Sequence, residues 1–405
     1  MPGGNSVKWL CLIAFMDLFA VSMVVPLASA HLRSLGYSHF MTGFLGSTYA
    51  AIQLVSGPLF GSWSDVRGRR PVLLLTLLVC SLCYLLMGIA TALPVILLIR
   101  IGLGIFKQTQ TLCKTLVADI VPYALQPEVY GRLNAVSSFG FMIGPVLGGH
   151  LAELEDGFFY ICCIVGLNFW IIIGIAYMFV PDVQAETSHK TSSAQRTLVG
   201  EVKKTARLLL EVDWSVYWDV FALKFLLGFS QAFFYTNYSL AIQEKFQVSP
   251  KWIGYTISFQ GMIGAFSGFL VGWFNKFYQM DSTFTLRSLH GFLLLVLAYC
   301  AVSSAPTLGV FVLSLVPLSV SSSFLRIIGL ECVLQRTPLD KRGSVVGSSN
   351  SISSIARLVA PLCSGAIHDV AGYFGVSLVS ILTASSGAAL AGFLRLSENR
   401  KAKVS

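Results

Sequence analysis

"GSWSDVRGRRP", from Gly61 to Pro71, sets Asp65, Arg67, Arg69 and Arg70 between an apolar run that ends at Phe60 and another that begins at Val72. Flanks this oily must be buried and a hairpin this polar must stay wet, so what surrounds the flanks decides the fold. Of the 405 residues 55% are hydrophobic and 12% charged, and the mean hydropathy is +0.73; a soluble globular chain is about 25% charged. One soluble core cannot hide that much apolar surface, whereas lipid accepts the outer faces of many helices. The chain reads as an all-α integral membrane protein. A secretory leader would account for the first apolar run alone, and similar runs recur as far as Phe393.

Outward from the hairpin the runs number twelve, at about 8–30, 42–63, 71–90, 95–118, 131–152, 158–180, 219–243, 252–275, 286–305, 308–335, 345–367 and 374–395. Each is long enough to cross a hydrocarbon core of about 30 Å at about 1.5 Å per residue. One long polar interruption, 181–218, separates two halves of six spans, 1–180 and 219–405, the second with a short basic tail. Its 38 residues are too few for a soluble enzyme domain and read as a cytoplasmic linker with an amphipathic helix, Val199 to Leu210, at the membrane surface. With the N-terminus cytoplasmic, the inner loops and tails carry eighteen Lys and Arg, and the outer loops three, Arg33, Lys245 and Lys251. That asymmetry is the one expected when both termini are inside. It also accounts for the net charge of +9 without nucleic acid, because the basic residues border spans and form no continuous patch. The nine cysteines are dispersed; Cys80 and Cys83 form a CxxC with no second pair and read as buried thiols.

Three motifs in order carry a family resemblance. Gly61, Asp65, Gly68, Arg69 and Arg70 match the GxxxDxxGRR signature between the second and third helices of the major facilitator superfamily. Arg100 and Gly104 match part of its RxxxG pattern in the fourth helix, although Leu103 stands where that motif has Gln. Gly140, Gly144, Pro145, Gly148 and Gly149 match the GxxxGPxxGG of the twelve-helix drug:proton antiporters, and "FMDLFAVSMVVPLASAHLRSLGYS", with Asp17 and Pro26, is similar to the first helix of tetracycline-resistance-type exporters. The resemblance covers essentially the whole chain. It implies the major facilitator fold, with the first, fourth, seventh and tenth helices around a central cavity. It further implies a conformational switch at the hairpin: Gly61 and Gly68 for close approach and a tight turn, Asp65 facing the start of the eleventh span near Ser344 to Gly347, and Arg69 and Arg70 anchoring the loop to headgroups or neighbouring acids. The matching stretch "GWFNKFY" has Lys276 where the first half has Asp65, which weakens a symmetric latch. The fifth and eighth helices are expected to meet across the halves through a glycine ridge, Gly140, Gly144 and Gly148, and its counterpart, Gly264, Gly268 and Gly272, with Pro145 bending the span. Packing of these glycines within one half is the alternative.

Charges deep in spans are costly unless they face a cavity or a partner. Asp17, Lys107, Arg326 and Arg357 lie near mid-span, and Lys224 and Glu331 nearer the cytoplasmic face. Arg100, Lys107 and Lys114 recur every seven residues, with Gln110 and Thr111 between, and Lys224, Gln231 and Tyr235 repeat similarly in the seventh span, so both stripes read as cavity-lining. Two readings stay open. These groups contact a solute or ion, or Asp17 is permanently paired with Lys107 or Arg326. One deep acid against three bases favours an organic anion or zwitterion over a cation, and Asp17 is the natural proton carrier.

No GxxxxGK[ST] is present, no nucleophile and base are paired, and His150, His290 and His368 sit at span ends as interfacial residues, so no enzyme is expected. The expected function is secondary active transport of a small organic solute, anionic or zwitterionic, by alternating access, with proton-linked exchange as the preferred mode. A multidrug or cationic-drug proton antiporter and a non-transporting receptor or regulator on the carrier fold are the alternatives. The expected partners are the lipid bilayer, a small-molecule solute and protons; no nucleic acid, cofactor or metal site is expected, and the protein is read as a monomer. Asn237-Tyr238-Ser239 fits the N-glycosylation pattern but lies at a span end and is expected to be unmodified.

Overall fold

Helices apolar on both faces dominate the chain. In α3 (Arg69–Ile89), Leu73, Leu77, Cys80 and Tyr84 are buried while Leu75, Leu82 and Leu86 are exposed. Such a helix needs lipid on its outer side. The computed structural model describes residues 4–122, 125–182, 213–278, 281, 283–338 and 342–404; the expected surface helix at 199–210 lies outside them. The other helices are α1 (Gly4–Ser34), α2 (His39–Arg67), α4 (Leu93–Phe106), α5 (Thr109–Ile120), α6 (Gln126–Leu151), α7 (Gly157–Phe179), α8 (Trp214–Thr236), α9 (Tyr238–Phe246), α10 (Pro250–Phe274), α11 (Thr285–Ser304), α12 (Leu308–Arg336) and α13 (Arg342–Val404). No strand occurs among the described residues.

Seven described segments are long and apolar enough to cross a membrane by length and composition: Ser6–Ser34, Arg69–Ile89, Leu93–Ile120, Gly157–Phe179, Thr285–Ser304, Leu308–Arg336 and Val345–Arg400. The last has 56 residues and turns at Gly372, where φ 61° and ψ −159° interrupt the helix, so it supplies two passes. α2, α6, α8 and α10 are 29, 26, 23 and 25 residues long, also sufficient, but are diluted by Gly, Ser and Thr. With these four counted by length, the described residues supply twelve passes, in the expected chain order.

The chain separates into two units. The first holds Met1–Tyr37, Thr48–Lys204 and Gln247–Phe259, and the second holds Ser38–Ser47, Thr205–Phe246 and Gln260–Ser405. α2 therefore gives its first turns to the second unit, and α10 gives its first turns to the first. Within the first unit α1 packs on α6 and α7, and α3 on α7 and α4; within the second α8 packs along α13, and α11 on α12 and α13.

The glycine ridge packs inside the first unit, which corrects the expectation of a seam with Gly264 and Gly268. A Cβ on Gly140 would stand 2.5 Å from Phe15 O, one on Gly144 2.5 Å from Phe19 O, and one on Gly148 2.7 Å from Met23 O, all on α1. At Gly264 and Gly268 a Cβ would meet nothing within 4 Å. Gly149 instead brings α6 to the start of α10: its Cβ would lie 2.7 Å from Pro250 O, and one on Gly254 would run into Pro145 O.

Two spans read as continuous are broken, and in the same way. At Gln108 the backbone N–H bonds Phe106 O at 2.7 Å, which leaves Gly104 O without its helical donor. Ser56 Oγ donates to Gly104 O at 2.8 Å and accepts from Gln108 Nε2 at 2.8 Å. At Asn237 the N–H bonds Tyr235 O, and Ser364 Oγ donates to Phe233 O at 2.7 Å while accepting from Asn237 Nδ2 at 2.8 Å. Each break is a side-chain amide that grips a serine, which in turn caps the carbonyl four residues back. Irregular backbone survives at membrane depth only where protein satisfies it in this manner. Asn237 is 1% exposed, so the glycosylation pattern is out of reach in this fold. Ser56→Ala and Ser364→Ala should each cost about 1–2 kcal/mol, because a buried carbonyl and an amide lose their partner together. Thermal unfolding of the purified protein in detergent measures this, and two variants melting with the wild type would refute the capping role.

Candidate functional site

The hairpin is a clamp around one guanidinium. Gly68 takes φ 93°, as a tight turn requires, and delivers Arg69 into the protein at 6% exposure. Arg69 Nη2 meets Asp65 Oδ1 at 2.5 Å, Nε meets Asp119 Oδ2 at 2.6 Å, and Nη1 donates to Ser64 Oγ at 2.6 Å and Gly61 O at 3.2 Å. Arg70 donates to Tyr177 O and lies over its ring. A Cβ at Gly61 would meet nothing within 4 Å, so this residue contributes a carbonyl acceptor and not close approach.

The deepest acid is already neutralised in the first unit. Asp17 is 0% exposed on α1 and accepts from Lys107 Nζ and, at 3.0 Å, from Gln110 Nε2, which also donates to Ala14 O at 3.0 Å. Lys107 is the residue that ends α4, with φ −76° and ψ 65°, and its Nζ lies 5.5 Å from the centre of the Phe169 ring. The break at Lys107–Gln108 also ends the stripe expected along a single helix. Arg100 lines a small crevice with His31, Ile96 and Phe158, and Lys114 is exposed on α5, so Arg100, Lys107 and Lys114 do not converge.

The second unit gathers a different set. Arg326 is exposed on α12 and donates to Ser323 Oγ at 3.2 Å; Tyr235 on α8 accepts from Gln260 Nε2. Lys224 donates to Ser349 Oγ on α13. Gln231 Nε2 is buried with no hydrogen-bond partner among the described residues, Glu331 is half-buried on α12, and Arg357 is exposed and donates to Ser354 Oγ at 3.0 Å.

These charges sit on a chain whose residues 10–361 match the family model described as Major Facilitator Superfamily. The chain belongs to the major facilitator superfamily. It is 26% identical over 369 residues to the quinolone resistance protein NorA of Staphylococcus aureus (strain MRSA252), covering 88% of each chain. It is 32% identical over 206 residues to the class E tetracycline resistance protein of Escherichia coli, covering 48% of this chain and 51% of that one. Among solved structures, a bacterial homologue of the human lysosomal transporter Spinster, inward-facing and unoccupied, superposes with a TM-score of 0.79 at 14% identity over 95% of both chains. The human organic anion transporter MFSD10 (TETRAN) does so at 0.68 and 21% identity, over 96% of this chain and 100% of that one. As a major facilitator the protein is a multi-pass membrane transporter and not an enzyme.

Several partners in this major facilitator escaped sequence reasoning. Asp119 completes the Arg69 clamp from 50 residues away. In the second half, where Lys276 replaces the expected acid, Asp281 supplies it: Arg287, 7% exposed, places Nε 3.3 Å from Asp281 Oδ2 and donates from Nη2 to Asp281 O at 2.6 Å. Arg336 Nη1 grips both oxygens of Asp219 at 2.8 and 2.9 Å. An acid just before a basic helix start could have pointed to Asp281; nothing local marks Asp119 or Asp219. His368, read as interfacial, is instead 6% exposed, with its ring tilted 33° to that of His39, a residue the sequence did not single out, and the two ring centroids 3.8 Å apart.

Proposed function

We propose that this carrier moves a small organic anion or zwitterion by alternating access, in exchange with protons, with Arg326 as the base that meets the solute and Asp17 as the proton carrier. The observation that supports it is a contrast between deep charges. Asp17 has its charge balanced by Lys107 and accepts a hydrogen bond from Gln110, whereas Arg326 is exposed and donates to Ser323 Oγ. A negative solute group would gain a charge-assisted bond at Arg326, and a cation would meet repulsion there. In this reading Lys107 releases Asp17 when the acid takes up a proton, so that protonation and solute binding bear on different units. Both termini and the 181–218 segment face the cytoplasm, and the protein acts as a monomer.

The test is uptake into proteoliposomes of an unbiased metabolite panel, with pH and voltage gradients imposed separately. Arg326→Gln should lower kcat/KM for the anionic solute roughly tenfold or more, the loss of one charge-assisted bond. Asp17→Asn should still exchange solute but no longer accumulate it when a pH gradient is imposed. Movement of cations alone, or unchanged anion kinetics in Arg326→Gln, would overturn the solute class; gradient-driven accumulation in Asp17→Asn would overturn the role of Asp17.

A second reading is proton antiport of drugs, favoured by the quinolone and tetracycline resistance proteins among its relatives. Quinolones, tetracyclines and lipophilic cations in the same panel separate the two.

A further inference from the structure

His39, Glu244 and His368 come together where the first turn of α2 meets α9 and the approach to the Gly372 kink of α13. One ligand atom from each lies within 4.8 Å of the others, and all three residues belong to the second unit. His39 Nε2 is 3.3 Å from Glu244 Oε1, and His368 Nε2 is 3.7 Å from Glu244 Oε2. The two imidazoles are 6% exposed, while the Glu244 side chain, at 46%, opens the cluster to solvent.

We propose that these three residues form a binding site for a divalent transition-metal ion of the zinc type. Two imidazole nitrogens and one carboxylate are a zinc donor set, with a fourth position left for water. Bond lengths of about 2.0–2.2 Å in a tetrahedron separate neighbouring ligand atoms by roughly 3.3 Å, and the His39–Glu244 pair already stands at 3.3 Å. The remaining pairs, at most 4.8 Å apart, would close to that spacing by side-chain rotation.

Asp369 supplies the outer support that such sites use. Its Oδ1 lies 2.9 Å from His39 Nδ1 and accepts the His39 backbone N–H at 3.0 Å, while Oδ2 accepts the Phe40 N–H at 2.8 Å. In the tautomer with its proton on Nδ1, donated to Asp369, His39 would turn the Nε2 lone pair towards Glu244, which is the carboxylate–histidine–metal arrangement. In that tautomer a lone pair and a carboxylate oxygen face each other at 3.3 Å, and a cation held by both would relieve their repulsion. The backbone is pinned as well: a Cβ on Gly365 would stand 2.9 Å from Phe40 Cα, so the start of α2 sits hard against α13 and fixes His39 next to His368. The ion would draw α2, α9 and α13 together.

The experiment uses the full-length protein in detergent, with any affinity tag removed, stripped with chelator and then titrated with Zn²⁺, and separately with Co²⁺ read by its visible absorption. One ion per chain and a rise in melting temperature are expected. His39→Ala and His368→Ala should bind at least about a hundredfold more weakly. Glu244→Gln, whose side chain is half in solvent and whose fold is not at stake, should bind at least tenfold more weakly, and Asp369→Asn roughly 10–100-fold more weakly. His290→Gln, a histidine outside the cluster, should match the wild type. Absence of Zn²⁺ binding by the wild type, equal binding by Glu244→Gln and wild type, or loss of the ion in His290→Gln would each overturn the site. So would a melting temperature that answers to pH through His39 but not to metal, because a second imidazole proton would then be the cation.

Discussion

Lys107→Gln is expected to lower the unfolding free energy by about 3–5 kcal/mol, the range seen when one member of a buried ion pair is removed. Asp17 is 0% exposed, and without Lys107 its charge is met by Gln110 alone. Water cannot screen it there. Neutralising both residues together, in Asp17→Asn with Lys107→Gln, removes the uncompensated charge and keeps a hydrogen-bonding set of similar size, so most of the loss should return. Thermal or SDS-induced unfolding of the four proteins in detergent forms the double-mutant cycle. If Lys107→Gln melts with the wild type, or the double variant is no better than the single one, the pair does not hold α1 to the α4–α5 break. The recovered double variant would then be a stable carrier with no deep acid, the proper background for asking whether a pH gradient still drives transport.

Gly144→Ala should be nearly as damaging, at about 3 kcal/mol. Its single added carbon would overlap Ser22 Oγ, approach Phe19 O to 2.5 Å and meet Ser22 Cβ at 3.1 Å, and one of these is backbone in the middle of α1. Neither helix can yield without opening the α1–α6 contact along its length, and membrane helices rely on that packing because lipid offers apolar surface just as readily. The companion change Gly264→Ala faces open space and should fall within about 0.5 kcal/mol of the wild type. Equal behaviour of the two variants, read as the yield of monodisperse protein and its melting temperature, would show that α6 does not ride on α1 at this glycine.

The twelve passes could be read from the sequence because crossing lipid is a matter of composition, written locally in each run. What a span does against its neighbours was not. The break at Gln108 depends on Ser56, 52 residues away, and the one at Asn237 on Ser364, 127 residues away. Neither break carries a proline or glycine at the amide itself, so the usual signals of interruption were absent. The ridge of Gly140, Gly144 and Gly148 was visible as a four-residue repeat, but a repeat says that something packs closely, not what. Asp17 and Lys107 could be singled out by the cost of their depth, and their pairing was one of two readings that only geometry separates. His39 and Glu244 went unnoticed because ordinary polar residues near span ends raise no alarm until a fold brings them to His368.

The Arg69 clamp has a further consequence for how positive charge is used over time. On the reading with both termini cytoplasmic, eighteen Lys and Arg lie on the inner side, and each acts as a topogenic signal on a nascent chain, where it is bare. In the finished protein Arg69, Arg287 and Arg336 each stand within ion-pair distance of a carboxylate. On that reading these arginines would orient the chain first and become fasteners afterwards. Lysine in their place would preserve the first role and weaken the second, since it lacks the planar fork that reaches two acceptors at once. Errors of orientation and errors of assembly are therefore separable at one and the same residue.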